Sequence, residues 1–322
     1  MPSFCRYRKK GPAGEAVEET PHKITEKGRK GTSKTPQRPP QAIVFHPPPV
    51  LYLELRQVSR CKEVSPLGKI ISIANQKGGV GKTTTAVNLA GGLGELGKKV
   101  LLCDLDPQGN ATSGLGINKR EVEVSCYDVL INRAEVQKAV VKTQFKNVSV
   151  LPSHISLAGA ELELVELDNR TMALRAALLR EKERYDYILI DCPPSLGLLT
   201  VNALAASDTI LIPLQCEYYA LEGVSQLIST VRTVKRMYND QLDIEGVLLT
   251  MYDSRLNLTV QVVDEVKKYF AGKIFTTVIP RAVRISEAPS FGQPIMYYDR
   301  SSKGTEAYVS LAKELVRNNR KR

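Results

Sequence analysis

A chain of 322 residues, 43% hydrophobic and with a formal net charge of +11, is long enough for one large α/β domain or two modest ones. Its apolar runs, such as "KIISIA" and "YDYILID", have the length of strands, and none approaches the roughly 18 residues that a bilayer-spanning helix needs, so no membrane span is expected. The six cysteines (Cys5, Cys61, Cys103, Cys126, Cys192 and Cys216) lie far apart without a C-x-x-C pair, which argues against a zinc ribbon or a disulfide framework and for a reducing, cytoplasmic compartment.

Residues 1–66 stand apart in composition. They hold 13 Lys/Arg against 6 Asp/Glu and ten of the eighteen prolines, in runs such as "PQRPP" and "HPPPV". Such a stretch buries too little apolar surface to offset its ordering entropy and is expected to be disordered. Two meanings compete for it: a basic arm that holds DNA phosphates by counterion release, or an upstream stretch translated from a start assigned too early. The second is favoured, because the fold begins at "GKIISIANQ" directly after Leu67, and Lys62-Glu63 suits a purine-rich ribosome-binding sequence ahead of a Leu67 start codon. The expected division is an extension over 1–66 and a folded domain over 67–322.

From Lys69 onward strand and helix signals alternate. Strands are predicted near 69–74, 99–104, 148–151, 186–191, 208–213, 244–251 and 273–279, with helices between most of them. Several of these runs are apolar throughout, as befits a parallel sheet covered on both faces. The predicted fold is doubly wound α/β.

After the first strand comes "NQKGGVGKTTTAVNLA", residues 75–90, leading into a helix predicted from about Lys82 to Leu96. Glycines that let successive N–H groups face one point, followed by a helix N-terminus, form a phosphate cradle. Lys82 should reach the β- and γ-phosphates and the Thr83 hydroxyl should ligate Mg²⁺, with Gly78, Gly79, Val80, Gly81 and Thr84 completing the nucleotide contacts. A glycine-rich turn without a ligand is the bland alternative. It is weakened by three glycines, a lysine and a threonine falling in register between strand and helix. Gln76 stands where the general pattern G-x-x-x-x-G-K-[ST] has its first glycine, so the better match is the variant K-G-G-x-G-K-[ST] from Lys77 to Thr83. Lys77, on the outer edge, cannot easily reach its own γ-phosphate while Lys82 occupies the inner side, but it could reach a nucleotide held by a second copy.

Two later stretches fit the same site. "VLLCDLDPQGNAT" brings Asp104 and Asp106 to the end of a strand, at the carboxyl edge where open α/β sheets bind ligands. One carboxylate could hold Mg²⁺ through water while the other orients the attacking water. "YDYILIDCPPS" ends a further apolar strand with Asp191, a candidate partner for the metal. Any one of these aspartates alone reads as a helix cap or a turn residue. Three of them beside a phosphate loop read as a nucleotide-hydrolysing site.

The loop, "DLDPQGNATSGLG", "DCPPSLGLLTVNAL", "PLQCEYYALEG", "VIPRAVRISEAPSFG" and the last helix together resemble the ParA/Soj family of chromosome-partitioning ATPases, over about residues 68–318. The resemblance implies a P-loop fold, ATP and Mg²⁺ as cofactors, and an ATP-sandwich homodimer in which Lys77 acts on the partner subunit's nucleotide. It implies Asp106 as the water-positioning carboxylate. It further implies sequence-independent DNA binding through Arg255 in "MYDSRLNL" and Arg284 in "PRAVRIS", each of which alone reads as a solvated surface charge. A ParB-like centromere-binding protein is the implied partner, the replication initiator is a further candidate, and the implied location is the nucleoid. Residues 1–66 have no counterpart in the family pattern.

A membrane-surface ATPase of the MinD kind shares the fold and the variant loop and is the alternative. That relative carries an amphipathic C-terminal anchor. In "GTEAYVSLAKELVRNNRKR", Ala307, Leu311 and Leu315 recur at helical spacing with few bulky residues, which predicts a face that packs on the domain instead of entering lipid.

Overall fold

A computed structural model describes residues 67–217 and 220–320 of the chain. The 1–66 extension, with its expected disorder, lies outside the described residues, as do Cys5 and Cys61. In the described part the chain runs β1 (Lys69–Ile73), α1 (Lys82–Glu95), β2 (Val100–Asp104), α2 (Asn110–Gly114), α3 (Cys126–Leu130), α4 (Val136–Ala139), β3 (Val141–Lys142) and β4 (Val148–Leu151). It continues through α5 (Leu157–Val165), α6 (Ala173–Leu178), β5 (Tyr187–Asp191), α7 (Leu198–Ala206), β6 (Thr209–Gln215), α8 (Ala220–Met237) and β7 (Asp243–Thr250). The closing elements are α9 (Asn257–Tyr269), α10 (Val283–Glu287), α11 (Ile295–Tyr298) and α12 (Lys303–Arg320).

The strands form one sheet in the order β3-β4-β2-β5-β1-β6-β7, with every pairing parallel except β3 with β4. Alternate residues of each apolar strand feed two separate cores. Leu101, Cys103, Ile188 and Ile190 pack with helices α3 to α9, while Val100, Leu102, Tyr187 and Leu189 pack with α1, α2 and α10 to α12. Both faces are therefore covered, as the uninterrupted apolar runs require. β6 tolerates Pro213 because β1 pairs with it only as far as Leu211. Beyond that point the Asn75 side chain donates to the Pro213 carbonyl at 2.8 Å, on the side where the missing N–H would have pointed.

The seventh predicted strand does not form as expected. Residues 273–279 run beside β7 only as isolated bridges, with Phe275 N–H donating to the Val247 carbonyl and Ile279 N–H to the Leu249 carbonyl. Between them the ladder is taken over by the Glu314 carboxylate of α12, which accepts from the N–H groups of Thr276 (2.7 Å) and Thr277 (2.9 Å) and from the Thr277 hydroxyl (2.6 Å). The seventh strand of the sheet is instead the two-residue β3, which no sequence pattern announces.

Burial alone would raise the Glu314 pKa, but these donors outweigh it and hold the carboxyl below its ordinary value of 4.5. A depressed pKa stabilises the fold above the unfolded value and loses that contribution as pH falls through the folded one. Glu314→Ala, which orphans three donors, is expected to cost about 2–3 kcal/mol in urea unfolding at neutral pH. The gap from wild type should narrow progressively below pH 4.5.

α12 lies on α1 as its spacing predicts. Tyr308, Leu311, Ala312 and Leu315 are buried and Ala307 is half-buried. The approach is close because Gly92 has no side chain: a Cβ there would sit 3.1 Å from the Ala312 Cβ and 3.2 Å from the Tyr308 carbonyl oxygen. No exposed large apolar side chain belongs to α12, so its apolar stripe is spent on the domain. Among the described residues no helix is long and apolar enough to cross a membrane.

Candidate functional site

The site grows from the carboxyl ends of three neighbouring strands. β1 turns at Ala74 into the loop, β2 ends in Asp104, and β5 ends in Asp191. The parallel register sets Asp104 opposite Asp191, and Asp191 opposite Ile73. Thus the carboxylates at the ends of two apolar runs come to lie side by side at the foot of the phosphate loop, although 87 positions separate them in the chain.

The loop is held from below. Asn75 is buried, and its Oδ1 accepts from the Lys77 N–H at 3.0 Å while its amide reaches Pro213. The Thr250 hydroxyl at the end of β7 donates to the Val80 carbonyl at 2.8 Å. Gly79 and Gly81 have φ of +73° and +87°, which a residue with a side chain adopts only under strain. Gly78 has no such constraint, yet a Cβ there would meet nothing within 4 Å. A glycine facing open space at this point leaves the loop's N–H groups approachable by a ligand.

Lys82, the first residue of α1, is 7% exposed, and its Nζ donates to the Lys77 carbonyl at 3.1 Å. Burial pulls its pKa down, while the nearby Asp191 and Asp106 carboxylates act to raise it. Asp104 is fully buried. Burial pushes it up to about 6 in spite of hydrogen bonds from the Thr112 hydroxyl and N–H, both at 2.7 Å. Asp191 is pushed well above the ordinary carboxylate range by burial and by the adjacent Asp104, against which the nearby Thr83 hydroxyl acts, and neither of its oxygens makes a well-formed hydrogen bond among the described residues.

Asp106 is half-buried at the head of a turn, with Oδ1 accepting from the Gln108 N–H at 2.9 Å. The Ser153 hydroxyl donates to its carbonyl at 2.7 Å, which fixes the turn to the end of β4. Lys77, by contrast, points outward: its side chain is 32% exposed and pairs with Glu217 at 2.5 Å.

This is a pocket short of positive charge. One buried ammonium faces two fully buried carboxylates, of which Asp191 has no well-formed hydrogen bond, and the loop beside them leaves its N–H groups open. A Mg²⁺–nucleotide fits such a donor set, since the cation answers the carboxylates and the loop with Lys82 answers the phosphates.

The remaining candidates lie elsewhere. Arg255 lines a cleft of about 670 Å³ together with Tyr252, Asp253, Arg281, Val283 and Lys303. It makes a two-pronged pair with Asp253, at 2.9 and 2.7 Å. Arg284 does not line the cleft but sits on α10 between Val283 and Ser286, which do. It pairs with Glu287 at 3.0 Å and Asp299 at 3.6 Å, with its guanidinium 5.9 Å from the Tyr298 ring centre. Sequence reasoning passed over Arg281 and Lys303, which line the same cleft without an ion pair among the described residues. Arg281 is the first arginine of "PRAVRIS", three residues before Arg284, and that motif is its signal; nothing local marks Lys303.

Comparisons with known proteins match the part of the chain that carries this site. A family model described as an AAA domain matches residues 68–244. The sporulation initiation inhibitor protein Soj of Bacillus subtilis is 60% identical over 252 residues, covering 78% of this chain and 100% of that protein. The chromosome partitioning protein ParA of Myxococcus xanthus is 55% identical over 251 residues, covering 78% of this chain and 89% of that one. Among solved structures, the cobyrinic acid a,c-diamide synthase of Mycobacterium smegmatis with a bound ATP analog and magnesium superposes with a TM-score of 0.70 at 37% identity, covering 79% of this chain and 96% of that one.

Proposed function

Since this chain belongs to the ParA/Soj family of chromosome-partitioning ATPases, we propose that ATP closes two copies into a dimer that holds DNA without reading its sequence, and that hydrolysis, stimulated by a ParB-like partner, releases it. The protein is an ATPase, and ATP with Mg²⁺ is its cofactor pair. The observation that carries the proposal is the opposed placement of two lysines in one loop. Lys82 is buried among carboxylates at the strand ends, while Lys77 stands on the outer edge, where a second copy could present its phosphates.

In this reading the N–H groups from Gly78 to Thr84 and the Lys82 ammonium bind the subunit's own phosphates. Thr83, Asp104 and Asp191 would hold the metal ion, with the oxygens of Asp104 already serving Thr112 and Asp106. When bound, the metal supplies positive charge that offsets the charge gathering on the phosphates. Asp106, anchored through one oxygen by Gln108, uses its other oxygen to orient the attacking water. The DNA surface would be the cleft of Arg255, Arg281 and Lys303 with Arg284 beside it. Its lining begins at Tyr252, two residues beyond Thr250, which is bonded to the phosphate loop, so loop and cleft share one strand end. Residues 67–322 would carry the whole cycle.

The direct test measures DNA binding with ATP, with ADP and without nucleotide; the switch requires ATP alone to support tight binding. A protein that bound equally in all three states would refute it. A second expectation concerns salt. Arg255→Glu and Arg284→Glu should each weaken binding to every DNA sequence alike and make the salt dependence shallower by about one unit of slope per lost contact. Lys303→Ala should do the same, and ATPase activity without DNA should stay near wild type. A loss confined to particular sequences would move the DNA surface elsewhere. A chain shortened to start at Leu67 that binds DNA as the full chain does would exclude residues 1–66.

A further inference from the structure

Lys77 does not extend freely from the loop. Its ammonium meets the Glu217 carboxylate of its own subunit at 2.5 Å, across 140 positions of sequence. Glu217 lies just past β6 and is itself held in place. Its second carboxylate oxygen accepts from the Gln215 side-chain amide at 2.5 Å, and its N–H donates to the Gln215 carbonyl at 2.8 Å. Lys77 is steadied from the other side, because Asn75, which accepts its N–H, is bonded through its amide to Pro213 on β6, the strand that leads to Glu217. Both ends of the ion pair therefore hang on the join between β1 and β6. Among the described residues Lys77 pairs with no other carboxylate, and Glu217 with no other cation.

An exposed lysine that gains nothing on its own subunit would be free to meet a second copy's phosphates at once. Here it must first leave a carboxylate, and the side chains are 32% and 48% exposed, open enough for a multiply charged phosphate group to compete. We propose that Glu217 is a positioning residue that keeps Lys77 on its own subunit until a second ATP-bound copy offers its triphosphate, and thereby sets the protein concentration at which the dimer closes. The inference rests on the reading of Lys77 as acting across the dimer. Glu217 plays no part in holding the subunit's own nucleotide.

The test uses the full chain with a non-hydrolysable ATP analogue, so that turnover does not drain the dimer. Half-dimerisation is read by light scattering across a protein dilution series. Each closing dimer opens two such pairs, so Glu217→Gln should lower the midpoint between about twofold and thirtyfold, while monomer affinity for the analogue stays at wild type. A merely structural role for Glu217 would move both. In the nucleotide-free monomer, acylation of Lys77 by an amine-reactive ester should speed up in Glu217→Gln while that of the other lysines does not. Glu217→Asp, with the charge kept but one methylene shorter, should fall between Gln and wild type.

An unchanged or raised midpoint in Glu217→Gln overturns the proposal, as does unchanged Lys77 labelling. Lys77→Ala is run beside it. If that variant dimerises as wild type does, the trans reading fails and takes this inference with it. If it does not dimerise while Glu217→Gln matches wild type, Lys77 keeps its role and only the hold by Glu217 is lost.

Discussion

Lys82→Ala is expected to weaken ATP binding by about 10²–10⁴-fold in equilibrium titration, whereas Lys77→Ala keeps the monomer's affinity within about twofold and loses the dimer. The size of the first effect follows from the surroundings of Lys82. It is the buried ammonium that interacts with Asp191, fully buried, and with Asp106, half-buried, so its removal leaves phosphates facing carboxylates with no positive side chain between them. Two charge-assisted contacts at about 1.5–3 kcal/mol each, at 1.4 kcal/mol per decade, give the stated range. Salt should soften it little, because the group is largely shielded from water. Lys77 differs in each respect: its side chain is 32% exposed, and it is paired with Glu217 and not with the buried carboxylates. Equal loss of monomer binding in the two variants would remove the trans role. Thermal melts of both proteins check that the fold survives.

The parts of this site that could be read from sequence are those in which chemistry forces neighbours in the chain to be neighbours in space. A phosphate loop is one such part, because consecutive N–H groups must converge, so Lys77 to Thr83 carry their meaning in order. Asp104 and Asp191 are legible for a related reason: each ends an apolar run, and in a parallel sheet all such ends share one edge. What failed to show was whatever depends on which strand lies beside which. "KIFTTVI" has the composition of a strand, but the N–H groups of Thr276 and Thr277 go to Glu314, 38 and 37 positions later, and no local pattern announces it. The hold of Glu217 on Lys77 requires β6 to lie beside β1, and Lys303 joins the Arg255 cleft only because the start of α12 comes back to the end of β7. The burial of Asp104 follows from its place at the end of an apolar run. Its hydrogen bonds to Thr112, which tie the strand end to α2, do not.

Asp106→Ala is expected to slow ATP hydrolysis by about 10²-fold or more and to leave a dimer that persists on DNA long after mixing with ATP. The two consequences go together because the residue is attached to the site in an unusual way for a carboxylate of this pocket. Asp104 and Asp191 are fully buried, and losing either would disturb the strand ends that support the phosphate loop. Asp106 is half-buried on a turn held chiefly by its main chain: its carbonyl accepts from the Ser153 hydroxyl and from the Gly109 N–H, bonds that survive truncation of the side chain. Only the Gln108 N–H loses a partner, and it is exposed enough to find water. The substitution thus removes a water-orienting oxygen while sparing Lys82, the loop glycines and the Lys77 edge, so ATP binding and closure should proceed and only the exit from the closed state should stall. Phosphate release measured alongside light scattering separates the outcomes. Slow hydrolysis with a lasting dimer assigns the water-positioning role to Asp106, and a monomer in the presence of ATP would give the residue a part in binding or closure instead.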